Sequence, residues 1–218
     1  MGTERRTFFA KTGAVAVAAS AGIAAPSVIA QPRVHWRLST AWPPQLDMLQ
    51  GAAQRLARIV DEMSGGRFRI DVYPGGQIMP PFECFDATSK GTIEAFMAAA
   101  YYWTAKDPAV EWFTTVPFGL DPQGMSIWYY GEGQRLWEET YAPFNLVPRL
   151  GPGFAPQMGG WFRKKINTVA DYKGMKMRMG TGLGGKVIAR AGGTAVLTPA
   201  SDIYASLERG VIDAAEWV

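Results

Sequence analysis

The chain has 218 residues, 48% of them hydrophobic, and its one cysteine, Cys84, cannot close an internal disulfide. The formal charge of +3 comes from 22 Lys and Arg against 19 Asp and Glu. Three of those bases and one acid lie in the first thirty residues, which leaves 19 basic and 18 acidic side chains and no electrostatic footprint for a nucleic-acid partner.

The opening thirty residues read as an export signal. Arg5-Arg6 is followed by Thr7, Phe8 and Phe9, then Lys11, then an alanine-rich apolar run from Ala14 to Ala25. Val28-Ile29-Ala30 ends in a small residue that suits a signal peptidase. Paired arginines before two phenylalanines suit the twin-arginine (Tat) route to the periplasm, so residues 1–30 are expected to be removed and the working protein to begin near Gln31. The alternatives are an ordinary Sec signal or an amphipathic first helix. No later stretch is apolar for long enough to span a bilayer. Cys84 reads as a small buried hydrophobe.

Val34, Trp36 and Leu38 alternate with Arg33, His35 and Arg37, which predicts a strand. Ala41-Trp42-Pro43-Pro44 is a turn. Leu49, Ala53, Leu56, Val60 and Met63 then recur at spacings of three and four, which predicts a helix with one apolar face, ended by Gly65-Gly66. Phe68, Ile70 and Val72 alternate as a second strand, closed by Pro74-Gly75-Gly76. A short helix is expected from Phe82 to Lys90, and the apolar run Ile93 to Ala99 suits a buried third strand. Asp121 to Tyr141 has a helical pattern with Asp121-Pro122 at its start. Prolines and glycines then crowd from Pro143 to Pro156, which marks a boundary or crossing segment. Beyond it, Gly159 to Arg163 is a candidate strand and Thr168 to Lys173 a turn with a short helix. Met175, Met177 and Met179 alternate with Lys176 and Arg178 as another strand. Val187 to Ala191 reads as helical and Thr194 to Leu197 as extended. Pro199 to Arg209 reads as a helix with Thr198 as cap and Pro199 at its first position, and Val211 to Val218 as a last strand.

Strand, helix, strand, helix, strand implies an α/β fold with a mostly parallel sheet covered by helices. Ligands in such sheets bind beyond the carboxyl ends of the strands, where Tyr101-Tyr102-Trp103 would form a cleft wall or a plain aromatic cluster. A strand at the very end with nothing packed after it leaves a sheet half built, so the chain reads as C-terminally truncated or as a fragment.

Enzyme chemistry has one candidate. Gly180 to Gly185 matches G-x-G-x-x-G between a predicted strand and a helix, as a dinucleotide fingerprint should. Its acidic partner belongs at the end of the next strand, but that strand closes on Leu197-Thr198 and Asp202 lies in the following helix. The other reading is a glycine-rich turn that lets a helix N-terminus approach an anion or the sheet. The single histidine, His35, has no cysteine or carboxylate pattern near it and reads as structural. No Cys/His metal spacing and no nucleophile elbow appears. Arg178 lies on a strand opposite the three methionines. It is either buried with a partner, facing a cleft, or exposed on an edge. Its planar guanidinium can hold a carboxylate by two parallel hydrogen bonds. Glu216, beside Trp217 and after Ile212-Asp213-Ala214-Ala215, is costly to bury unless paired or bound to a cation.

Five segments together resemble the solute-binding subunits of TRAP transporters, of the dicarboxylate-binding type and its α-keto-acid-binding branch. They are Tyr73 to Gln77, Ala100 to Trp103, Gln157 to Arg163, Asp171 to Arg178 and Leu207 to Trp217. The resemblance implies a two-lobed periplasmic binding protein of type II, a Venus flytrap in which each lobe is a mostly parallel sheet covered by helices, here incomplete at its C-terminus. The first lobe would take residues 31–156, the second 157–215, with the return crossing starting at 216–218. The resemblance also implies that the protein is not an enzyme. Arg178 would bind the substrate carboxylate, and a cation, most simply sodium, would bridge substrate and protein through the Gln157 side chain, the Glu216 carboxylate and Trp217. Tyr101 and Tyr102 would line the first-lobe wall. A keto acid can chelate one hard cation through its carboxylate and carbonyl oxygens. The implied partners are a small carboxylate and the membrane subunits of the transporter, with a homodimer expected of a full-length form and not of a truncated one. The rival readings are an exported NAD(P)-dependent oxidoreductase built on the Gly180–Gly185 turn, and a protein of the same fold serving another transporter or a sensor.

Overall fold

The computed structural model describes residues 33–114, 116–153 and 157–217. The export signal expected over residues 1–30 lies outside them, as do Pro156 at the expected lobe boundary and Val218.

Three strands form the first sheet: β1 (Val34–Thr40), β2 (Phe68–Tyr73) and β3 (Ala95–Met97), in the order β2-β1-β3 and all parallel. The register pairs Trp36 with Ile70 and Leu38 with Val72, so the alternating apolar residues of both strands share one face. His35 points the other way, and its Nε2 lies 2.8 Å from Asp71 Oδ2. Sequence spacing hid that carboxylate because it comes from the neighbouring strand. α1 (Asp47–Ser64) connects β1 to β2 and buries Leu49 and Ala53, while Leu56, Ile59 and Met63 farther along its apolar stripe stay exposed. Gly65, at φ 60°, adopts the left-handed conformation that ends the helix, and its N–H donates to the Glu62 carbonyl at 3.1 Å.

The core beside this sheet is aromatic. α2 (Cys84–Ser89) buries Cys84 and Phe85 completely. The Phe85 ring lies 5.1 to 5.8 Å from the rings of Phe96, Trp103, Tyr141 and Phe144. Cys84 is the buried hydrophobe expected of it, and burial pushes its thiol pKa up to about 12. The helical pattern from 121 to 141 resolves into α3 (Pro122–Trp128) and α4 (Gln134–Tyr141), joined by one wider helical turn. Asp121 caps α3, its Oδ1 accepting the Gly124 N–H at 2.7 Å, with Pro122 in the first turn.

Four short strands form the second sheet: β4 (Trp161–Phe162), β5 (Lys176–Arg178), β6 (Thr194–Val196) and β7 (Ala214–Ala215), in the order β4-β7-β5-β6. Only β4 runs antiparallel to its neighbour, and β5 and β7 lie in the interior of the sheet. α5 (Leu183–Arg190) follows β5, and α6 (Ala200–Glu208) follows β6. Met175, Met177, Ile188 and Ala214 make a small core, with Phe162 and Tyr172 against it.

Several element boundaries differ from the sequence reading. The third strand covers Ala95–Met97 rather than Ile93 to Ala99. α5 begins four residues before Val187 because Gly185 lets it pack on the sheet, where an added Cβ would meet the Gly180 carbonyl at 2.9 Å and the Ala195 methyl at 3.2 Å. Pro199, not Thr198, stands at the start of α6, and the helix has no side-chain cap. The last strand is two residues long. The N–H groups of Val211 and Ile212 are used by the Ser206 carbonyl at 2.9 and 3.3 Å, closing α6 before any ladder can start.

Candidate functional site

Arg178 ends β5 with neighbours on both sides, at Val196 of β6 and Ala215 of β7. This placement excludes the edge-strand reading. The residue is 0% exposed, and its stem lies on the face opposite Met177 as the alternation requires. Its guanidinium donates from Nε to the Thr198 carbonyl at 3.2 Å, and from Nη1 to the Glu216 carbonyl at 2.7 Å and the Glu216 carboxylate at 3.1 Å. The Glu216 N–H in turn donates to the Arg178 carbonyl at 2.9 Å. Nη2 is buried and makes no hydrogen bond. The Trp217 ring covers the guanidinium at 4.5 Å, within range of a cation–π attraction.

Glu216 is therefore paired, as its cost of burial demands. Its side chain is 12% exposed, and burial raises its carboxyl pKa above the ordinary glutamate value despite the opposing pull of Arg178. One cation thus balances one carboxylate, with a guanidinium edge left over. The Tyr101 hydroxyl is held protonated well above its usual range, first by burial and then by Tyr102 and Glu216.

Glu216, Trp217, Gln157, Tyr101 and Tyr102 all line one cleft of about 1820 Å³, while Arg178 sits behind this wall, screened by Glu216 and Trp217. The cleft extends along the apolar face of the first sheet past Leu38 and Ile70. Five of the six site residues anticipated from sequence thus share one surface, and the sixth lies directly beneath it. Tyr101 and Tyr102 pack edge to face with ring centroids 4.8 Å apart.

Sequence reasoning missed two contributors. Thr198 holds Arg178 through a backbone carbonyl, which no residue type announces. Glu111 is 5% exposed in an otherwise apolar stretch, Val110 to Phe113. A lone carboxylate in such a stretch was the available signal.

The glycine-rich turn does not make a dinucleotide site. A Cβ on Gly180 would lie 2.5 Å from the Tyr101 ring, and one on Gly182 would overlap the Glu111 carboxylate. The N-terminus of α5 therefore faces a ring and an anion of its own chain, where a pyrophosphate would need space and positive charge. The oxidoreductase reading is not supported. Among the described residues, no group of three or more His, Cys, Asp and Glu is arranged to hold a metal ion. Also among the described residues, no helix is long and apolar enough to cross a membrane.

Comparison with known proteins gives the same assignment. The monocarboxylate 2-oxoacid-binding periplasmic protein of Nostoc sp. (strain PCC 7120) is 43% identical over 188 residues, covering 86% of this chain and 51% of that protein. A TRAP periplasmic solute-binding protein from Pseudoalteromonas atlantica, solved with sodium and pyruvate, matches with TM-score 0.82 and 39% identity, covering 85% of this chain and 56% of that one. One from Colwellia psychrerythraea, solved with calcium and pyruvate, matches with TM-score 0.81 and 36% identity, covering 85% and 57%. These relatives carry the two-lobed architecture to which the two sheets belong. The chain spans about half the length of the curated relatives it matches. Residues 38–218 match the model of the DctP family, and the chain accordingly belongs to the bacterial extracellular solute-binding proteins, family 7, whose members capture solutes rather than transform them.

Proposed function

We propose that this chain is the ligand-capturing part of a TRAP-type importer for a small α-keto or hydroxy carboxylate such as pyruvate. The observation that carries the reading is the buried guanidinium of Arg178, whose Nη2 has no partner while its other two nitrogens are fully held. A rigidly oriented guanidinium with one unpaired nitrogen beneath a cleft suits a carboxylate oxygen. The relatives from Pseudoalteromonas atlantica and Colwellia psychrerythraea, at 39% and 36% identity, hold pyruvate.

Charge balance supports a bridging cation. Arg178 already offsets Glu216, and an incoming carboxylate adds a second negative charge to the same buried region. A hard cation held by the Gln157 side-chain oxygen, the Glu216 carboxylate and the Trp217 backbone oxygen, with the ligand's own oxygens, restores neutrality. Sodium is our first assignment, since one carboxylate among neutral oxygens suits a single positive charge. When bound, the cation supplies electrostatic attraction for the keto and carboxylate oxygens. Arg178 orients the carboxylate, and Tyr101 and Tyr102 close the first-lobe side. For the ligand to reach Nη2, Trp217 and the Glu216 side chain must swing away from the guanidinium.

The lobes divide at residues 156 and 157, with the return crossing beginning at Glu216. The twin-arginine signal over residues 1–30 delivers the protein to the periplasm, where the loaded form docks on the transporter's membrane subunits. Calorimetry with pyruvate, in sodium chloride, calcium chloride or choline chloride, tests the site. Binding should require one of the metal salts, and Arg178→Ala should weaken it more than a hundredfold. Equal affinity in Arg178→Ala would overturn the assignment.

A further inference from the structure

Among the described residues, two hydrogen bonds join the first-sheet layer to the second-sheet layer, and both converge on the glycine-rich turn. Thr104 Oγ1 and Thr181 Oγ1 lie 2.9 Å apart, and Lys186 Nζ donates to Glu111 Oε1 at 3.1 Å. Glu111 is buried to 6% side-chain exposure, whereas Lys186 is 61% exposed, so the carboxylate is a fixed anchor and the lysine a mobile arm. Glu111 Oε2 is buried without a hydrogen-bond partner and lies against Gly182, at the start of α5. Thr104 Cγ2 also faces that glycine, at 3.1 Å from its would-be Cβ. Two positions earlier in the same turn, Gly180 receives the Tyr101 ring. The glycines that resemble a nucleotide fingerprint thus serve as seats for first-layer side chains.

We propose that Glu111 is a positioning residue: with Lys186, the Thr104–Thr181 contact and the seats at Gly180 and Gly182, it forms a latch that holds the two layers closed over the Arg178 site and sets the ligand's residence time. The latch is placed to do this. Tyr101 lines the cleft, Thr104 follows it by one helical turn, and Gly180 and Thr181 follow Arg178 by two and three residues, so opening at the turn separates the Tyr101 wall from the strand end that carries the guanidinium, while Trp217 and Glu216 still have to move off it. The positive end of the α5 dipole and the Lys186 ammonium both face the Glu111 carboxylate, which makes it the electrostatic centre of the contact. A latch fastened through one exposed arm is weak enough to open each cycle, because the gain from such a pair is small.

The latch rests on the binding reading only for its kinetic consequence, so two measurements separate them. Spin labels at Met63→Cys and Tyr204→Cys, both exposed, report the distance between layers in the ligand-free full chain; Cys84 is buried and stays unlabelled. Lys186→Ala and Lys186→Glu should broaden the distance distribution toward longer values, and Lys186→Arg should preserve it. With pyruvate and calcium, stopped-flow dissociation should quicken about fivefold in Lys186→Ala, more in Lys186→Glu, and little in Lys186→Arg, at unchanged association rate. Gly180→Ala should broaden the distances as well, since the new methyl meets the Tyr101 ring. Distances unchanged in both Lys186→Glu and Gly180→Ala would overturn the latch. A wild-type protein that ignores pyruvate would overturn the ligand assignment, and the ligand-free distances would then decide the latch alone.

Discussion

The two sheets solve different problems. The first has parallel strands of up to seven residues and a core of interlocking rings around Phe85, and the ion pairs on its sheet, Arg37–Glu94 and His35–Asp71, are solvated. The second has strands of two or three residues and keeps an arginine at its centre. Packed rings stabilise a fold through the apolar area they bury. A buried ion pair does so poorly, because desolvation takes back most of the Coulomb gain. The first layer is a scaffold, and the second gives up stability to hold a charged site.

Mutations can break that comparison. Phe85→Ala should cost the most, about 3–5 kcal/mol in urea unfolding, while the folded fraction keeps its pyruvate affinity. A loss of affinity there would place binding energy in the scaffold. Arg178→Met should cost about 3 kcal/mol by stranding the Glu216 carboxylate, and adding Glu216→Leu should return most of it while binding stays abolished. If the double variant remains as unstable as the single one, the arginine is structural.

Acidity separates the layers more gently. Burial raises the Glu216 pKa, so the folded chain holds that proton more tightly than the unfolded chain, and the group's contribution to stability is lost as pH rises through the raised value. Protons compete with the cation for the same oxygens. Cation-dependent pyruvate affinity, followed by calorimetry from pH 8 downward, should therefore begin to fall above the range in which an ordinary glutamate titrates. The first layer responds in the opposite sense. Arg37 holds the Glu94 carboxyl at about 2 through side-chain and backbone hydrogen bonds, so that contribution is present above the ordinary value of 4.5 and lost as pH falls toward 2. Arg37→Ala should flatten the acid limb of a urea-midpoint profile by the smallest amount of the four, because the pair is solvated.

Much of this molecule is legible along the chain. Period-two alternation located β1, β2 and β5, and period-three-and-four spacing with Gly65 located α1, because each pattern records which face meets a core. Arg178 and Glu216 stood out because a charge among apolar neighbours needs a partner. The boundaries of α5 and of the last strand were not legible. Gly184 and Gly185 argue locally against a helix, and only packing on Ala195 and Gly180 reverses that. Backbone donors from Val211 and Ile212 could have joined a ladder, and only α6 nearby diverts them to Ser206.

By itself, then, the sequence determined the α/β class, the family segments and the identity of the charged residues, since these follow from side-chain type and spacing. Tertiary structure alone decided that Arg178 holds Glu216 with one nitrogen left unpaired, that Thr198 contributes a carbonyl, and that Gly180 and Gly182 receive a tyrosine and a glutamate rather than a phosphate. Those outcomes depend on which groups converge from distant parts of the chain, and on how closely two backbones can approach, quantities that no local pattern encodes.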